Sequence, residues 1–206
     1  MRREAGDAGD AARATAEALA AHYGLEPLPR EGGRFRRLWA GPERGDGRPA
    51  GSAIVMLLTD APDDYCALHR LPTDEVWHHY LGAPLELLLL GPQGAARTPV
   101  LGSDVLGAGH HVQLTVPAGT WMAARVARRA TDDPGPDDPG PDDPTPGPSG
   151  PDAPGPGGPR GRAGAWTLFG CTMAPGYTAA DYEHGDAEAL VRAYPEHAGL
   201  IRELAR

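Results

Sequence analysis

Short apolar segments separated by turn signals run along nearly the whole chain. Residues 52–59, SAIVMLLT, form a continuous apolar run of strand length, and residues 85–90, LELLLL, form another. Residues 35–40, 65–70, 75–80, 112–116, 121–126 and 166–173 read as further strands. Breaks fall at Asp60–Asp64, at Leu71-Pro72-Thr73-Asp74, at Pro117-Ala118-Gly119 and at Ala174-Pro175-Gly176. About eight short strands at such intervals predict an all-β sandwich or barrel. Two stretches carry helical signals instead. Residues 11–23 are Ala-rich, with Asp10 as a cap, Gly24 as a stop, and Leu19 and Tyr23 on one narrow apolar face that would lie on a sheet or a partner chain. Residues 187–204 have near-helical apolar spacing after Asp186, but Pro195 interrupts it, so two short helices packed outside the barrel are expected.

Composition changes the picture in one place. Residues 131–164 hold 11 Pro, 9 Gly and 7 Asp, and lack Val, Ile, Leu and aromatics. Such a segment buries too little apolar surface to offset its ordering entropy, so it reads as a disordered insert. It falls between two strands that can still pair, because loop closure entropy grows slowly with length. The expected organisation is therefore a single domain over 11–206 interrupted by that insert. The net charge is −9. Seven Asp against Arg160 and Arg162 place −5 of it in the insert, leaving −4 elsewhere. Every basic residue is Arg, and none forms a patch interleaved with aromatics, which argues against nucleic acid as a partner. The N-terminus lacks an apolar run long enough for a signal peptide or membrane span. Two cysteines 105 positions apart, Cys66 and Cys171, make neither a CxxC pair nor a disulfide framework, and point to a reduced, cytoplasmic setting.

Candidate chemistry concentrates in residues 69–82, HRLPTDEVWHHYLG. Alternation along a strand puts Glu75, Trp77 and His79 on one face. A hairpin around the turn at 70–74 would set His69 opposite Glu75. A carboxylate facing a barrel interior costs several kcal/mol unless it finds a partner, on the order of the penalty for any buried unpaired charge, and His69 is the nearest one. A polar pair in an apolar interior is the usual form of a small-molecule site. In a proton-transfer reading His69 is the general base and Glu75 orients it. Tyr65 is the acid, preferred over Tyr80 because regular alternation places it on the His69 face. Trp77 is a candidate pocket wall. Cys66, three residues from His69, falls on the opposite face as a small buried hydrophobe. Cys171 can face inward but has no sequence neighbour to activate it. The dipeptides His78-His79 and His110-His111 each split across a strand, so neither chelates an ion alone.

The spacing of His69, Glu75 and Gly82 resembles the first motif of the cupins, and Pro117-Ala118-Gly119 resembles the second. GLEPLPREGG, LHRLPTDEVWHHYLGAPLELLLL, VPAGTWMAAR and the closing WTLFGCTMAPGYTAADYEHGDAEALVRAYPEHAGLIREL are similar, in order, to the cupin-5 branch, domain of unknown function 985. The resemblance implies a double-stranded β-helix, a jelly-roll barrel with short terminal helices outside it. It also implies a homodimer and a small-molecule ligand in the barrel mouth. Metal-binding cupins use two His and a Glu from the first motif and a His from the second. Here those positions read His69, Leu71, Glu75 and Met122, so two ligands remain of four and no metal or other cofactor is expected. Met122 and His79 are assigned instead to the ligand lining with His69, Glu75 and Trp77. The expected function is a small-molecule-binding cupin acting as a metal-independent, epimerase-like proton-transfer enzyme. A non-catalytic ligand-binding or sensor protein is one alternative, and a metal-dependent dioxygenase or isomerase is another.

Overall fold

The computed structural model describes residues 2–127 and 164–205, and the Pro/Gly/Asp-rich insert lies outside them up to Gly164. Helix α1 (Arg2–Tyr23) leads into strands β1 (Glu26–Pro27), β2 (Arg34–Ala40) and β3 (Ser52–Thr59). Strands β4 (Cys66–Arg70), β5 (Glu75–Gly82) and β6 (Leu85–Leu90) follow. The short strands β7 (Ala96–Arg97) and β8 (Val100–Leu101) precede β9 (Gln113–Val116), β10 (Trp121–Val126) and β11 (Trp166–Met173). The bridge β12 (Glu183–His184) comes before helices α2 (Ala187–Ala193) and α3 (Ala198–Leu204). One sheet has the order β1-β2-β3-β11-β5-β9, and the other β12-β4-β10-β6-β7 with β8 beside β6. Every ladder between these strands is antiparallel. The two sheets face each other as a jelly roll.

The apolar runs follow from covering both faces of each sheet. In β3, Met56 and Leu58 point into the core between the sheets, while Val55 and Leu57 point out beneath Ala16 and Ala20 of α1. In β6, Leu85, Leu87 and Leu89 face the core, while Leu88 and Leu90 meet Leu190, Ile201 and Leu204 of the C-terminal helices. A strand with helix on one side and core on the other has no polar face to offer, so alternation disappears. Helix α2 starts where expected, with the Asp186 carboxylate accepting from the Ala189 N–H at 2.9 Å. Pro195 opens a 3-10 turn between α2 and α3, separating them as its ring and missing N–H require.

Three expectations are corrected. Helix α1 begins at Arg2, so Asp10 lies inside it; the strong formers of its first turns, Arg, Glu and Ala, carry the helix past Gly6 and Gly9. Strands β4 and β5 do not form a hairpin, because each belongs to a different sheet. The turn at 71–74 instead carries the chain across the sandwich. It is tied to the Pro117-Ala118-Gly119 corner by Gly119 N–H to Leu71 O and Ala118 N–H to Asp74 Oδ1, both 2.8 Å. Strands β10 and β11, which flank the insert, likewise belong to opposite sheets and do not pair.

Candidate functional site

His69 and Glu75 both point into the space between the sheets, 1% and 6% exposed. They come from β4 and β5, on opposite sheets, and lie within reach of each other's charge. Strand β4 bends to achieve this. Opposite it, β10 runs two residues, Met122 to Ala124, while β4 runs three, His69 to Cys66. That extra residue is a β-bulge, and it resets which side chains point inward. Cys66 therefore shares the interior with His69, while Leu68 faces the outer cluster.

The bulge corrects two assignments. Cys66 is not on the opposite face: its Sγ lies 3.9 Å from His69 Nδ1. Tyr65 is not on the His69 face, but packs half-buried with Leu68 against the outer cluster under the C-terminal helices. His79 keeps the alternation of Glu75 and Trp77, yet its Nε2 reaches Ala83 O at 3.1 Å and its charge neighbour is His110. It sits four residues along β5 from Glu75, about 13 Å at strand rise. The structure thus brings His69, Glu75, Trp77 and Met122 to the interior together, and leaves Tyr65 and His79 apart from them.

Glu31 is the member that periodicity missed. It lies in the turn before β2, where Ala67 N–H donates to Glu31 O at 2.6 Å and ties the turn to β4 beside the bulge. Gly32 follows at φ +95°, and a Cβ there would run into the Tyr65 carbonyl, so the close approach needs glycine. The result is that Cys66 Sγ–H donates to Glu31 Oε1 at 3.5 Å. Glu31 is half-buried as a residue, with its carboxyl end enclosed. The sequence signal was the Glu-Gly-Gly turn, but nothing local tells which strand such a turn will fold onto.

The enclosure sets the protonation states. Burial pushes the Glu31 carboxyl up to about 7 against the moderating Cys66 thiol. Burial also pushes Glu75 up to about 7, opposed by His69 and reinforced by Glu31, while donors from Trp77 and Cys171 pull it back. The Trp77 Nε1–H donates to Glu75 Oε2 at 2.8 Å, and the neighbouring Cys171 thiol lowers the carboxyl's pKa. Burial lowers His69 below the usual imidazole range, against Glu75 and the Ala67 bond, which raise it. Because a carbonyl can only accept, the 2.8 Å contact between His69 Nδ1 and Ala67 O places the proton on Nδ1. The neutral ring then carries its lone pair on Nε2. Burial raises both thiols, with the nearby acids adding to it.

A stack of rings links this interior to the surface. His69 lies parallel to Tyr182, with ring centroids 5.2 Å apart and planes within 16°. The exposed Arg30 guanidinium sits over the Tyr182 ring, 5.1 Å from its centroid. Trp77 and Phe169 stack at 5.4 Å as the apolar floor. The four-residue metal cage implied by the resemblance does not fit here. Leu71 and Met122 fill two of its positions with apolar side chains in the core, and a thioether is too soft to replace imidazole for Zn, Fe or Mn.

Two solved structures resemble the chain closely in fold. One is a crystal structure of a protein from Shewanella oneidensis, 26% identical, covering 92% of this chain and 96% of its own, with a TM-score of 0.69. The other is a hypothetical protein from Leishmania major, also 26% identical, covering 92% and 97%, with a TM-score of 0.67. No curated protein matches the chain. The family model described as Cupin superfamily (DUF985) matches residues 17–185, which take in Glu31, the β4 bulge, Glu75 and Tyr182 alike, and the chain belongs to that family.

Proposed function

We propose that the interior around His69 receives a small polar metabolite and moves a proton on it without a metal. The observation that carries this reading is an imidazole and two carboxyl groups, brought from three separate elements into one apolar enclosure. His69 Nε2 is the base, since Ala67 O holds Nδ1–H and burial keeps the ring neutral. A substrate C–H or O–H proton passes to Nε2, and Glu75 stabilises the imidazolium so formed. Glu31 takes the acid role for which Tyr65 is misplaced, and returns a proton to the substrate from its carboxyl O–H. Two enclosed acids and a neutral imidazole with separated environments are the arrangement by which one site runs acid and base chemistry near neutral pH.

The direct test starts from ligands that co-purify with the folded protein, surveyed by mass spectrometry. The bound compound, incubated in deuterated water, is expected to take up deuterium with the wild type and not with His69→Ala. Deuterium uptake unchanged in His69→Ala would remove the assignment. A second reading, non-catalytic binding, is favoured by the state of Glu75, whose carboxyl already accepts from Trp77. It predicts a ligand that binds with no exchange in either protein.

The same reading takes the chain as a homodimer in a reducing cytoplasm. It is supported by Leu38 and Trp39 on β2, which are 58% and 50% exposed, and by two cysteines that remain free. Light scattering of the full chain tests the dimer.

A further inference from the structure

The proton-transfer reading leaves one feature of the interior unused: a thiol placed among oxygen and nitrogen donors. Glu31, Cys66 and His69 each bring one donor atom, and all three atoms lie within 4.8 Å of one another. The Sγ to Oε1 distance is 3.5 Å. Tetrahedral Zn2+ with a thiolate at about 2.3 Å and a carboxylate at about 2.0 Å spans about 3.5 Å between those two ligand atoms. The pair is therefore set at coordination spacing before any ion arrives. The imidazole lies beside the thiol, with Nδ1 3.9 Å from Cys66 Sγ and bonded to Ala67 O at 2.8 Å. Nε2 is therefore the nitrogen with a lone pair to give, and the ring must turn it toward the ion. The backbone bond from Ala67 N–H to Glu31 O and the bulge in β4 together fix the three donors relative to one another.

Among the described residues neither enclosed carboxyl is paired with a guanidinium. Glu31 is bonded by a thiol, and Glu75 by an indole N–H. The Arg30 guanidinium is placed over the Tyr182 ring. A cation-shaped deficit lined by sulfur, nitrogen and oxygen selects a borderline-soft ion over Mg2+ or Ca2+, which take oxygen alone. This donor set also differs from the cage of the cupin motifs. Two of its three members, Glu31 and Cys66, come from outside those motifs, and two of the motif positions are apolar.

We propose that Glu31, Cys66 and His69 form a binding site for a thiophilic divalent cation, Zn2+ in the first place, with the fourth position left to water or to an anionic group of a ligand. Binding converts the Cys66 thiol to a thiolate and the Glu31 carboxyl to a carboxylate, and releases their protons to solvent. It also takes the His69 lone pair, so the loaded site is one in which the proposed base is withdrawn.

Co2+ is the probe, because a thiolate ligand gives it a near-ultraviolet charge-transfer band and tetrahedral geometry gives intense visible bands. The full chain, stripped with chelator and kept reduced, is titrated with Co2+, and Zn2+ is then added in competition. Expected are both band types at one ion per chain, displaced by Zn2+. Cys66→Ser loses the charge-transfer band, Glu31→Gln binds at least tenfold more weakly, and Cys171→Ser and the double variant His110→Ala/His111→Ala keep both bands. Near-ultraviolet circular dichroism of each stripped variant reports its fold. Absence of the charge-transfer band in the wild type overturns the proposal whatever the variants do. So does its persistence in Cys66→Ser, or its loss in Cys171→Ser with the fold intact. No substrate enters these measurements, so either result leaves the proton-transfer reading to its own test.

Discussion

Replacing Glu31 by Gln removes a pH-dependent share of stability whose direction the structure fixes. Burial raises the Glu31 carboxyl from 4.5 to about 7 in the folded chain. Between those values the folded protein keeps a proton that the unfolded chain has already lost. Stability falls with rising pH wherever the native state binds more protons than the unfolded one. The contribution of Glu31 is thus fully present below pH 4.5 and lost as pH rises through about 7. A shift of that size is worth about 3 kcal/mol at about 1.4 kcal/mol per unit. Glu31 is half-buried, and solvent reaching it lowers the figure to about 2 kcal/mol.

Gln fills the same space without a charge to desolvate. Relative to wild type, Glu31→Gln should be within about 1 kcal/mol at pH 5, the scale of one exchanged hydrogen bond. At pH 8 it should be more stable by about 2 kcal/mol. Relief of Glu75, whose pKa Glu31 helps to raise, adds in the same direction. Urea unfolding at several pH values in chelator measures the difference. The wild-type profile alone is not diagnostic, because His69 works the other way. Its lowered pKa means that the unfolded chain binds a proton first as pH falls, so its share of stability rises with pH toward 6.5. Subtracting the two profiles removes that share. Parallel curves, with the variant no better at pH 8 than at pH 5, would refute the claim that an enclosed, uncompensated carboxyl sits at Glu31.

Other substitutions probe the frame around this group. Trp77→Phe keeps the stacked ring but removes the N–H that reaches Glu75 at 2.8 Å; it should cost about 1–3 kcal/mol in urea unfolding, the range for a buried group left short of a donor. Gly32→Ala meets both a left-handed φ and the Tyr65 carbonyl, and should lose at least about 1–3 kcal/mol, the usual scale of such strain, with the Glu31 pH signature weakened as the turn lifts from β4. Ile201→Ala opens a hole at a fully buried position between α3 and the sheet and should cost about 2–5 kcal/mol, read as a lower thermal midpoint with the interior pH signature unchanged.

Much of this fold was legible because burial on two faces leaves a plain mark. The runs at 52–59 and 85–90 appear as β3 and β6 because each is covered by helix outside and core inside. Pro195 and Asp186 announced the C-terminal helices through backbone chemistry alone. Alternation within β5 also put Glu75 and Trp77 on one face, whereas His69 was set opposite Glu75 through a hairpin that the structure does not form. Pairing was harder to read. A short turn such as 71–74 serves equally to close a hairpin or to cross between sheets, and the choice is settled by where the other strands find partners. The position of Glu31 was out of reach for a related reason: it depends on a contact between segments 35 residues apart in the chain.

The bulge in β4 shows why the chemistry was less legible than the frame. Period-two alternation assigns faces only while each strand advances in step with its neighbour. Here β10 takes two steps while β4 takes three, and that single extra residue exchanges the fates of two reactive side chains. With a regular strand, Tyr65 would offer its hydroxyl to His69, and Cys66 would pack outward as an inert apolar group. With the bulge, Tyr65 supports the C-terminal helices, and the Cys66 thiol enters between Glu31 and His69. An interior built around a phenol would suit proton relay alone, whereas one built around a thiol and two carboxyls also has the donor types that a soft cation seeks. The bulge, more than the frame, therefore sets which reactive side chains share the interior.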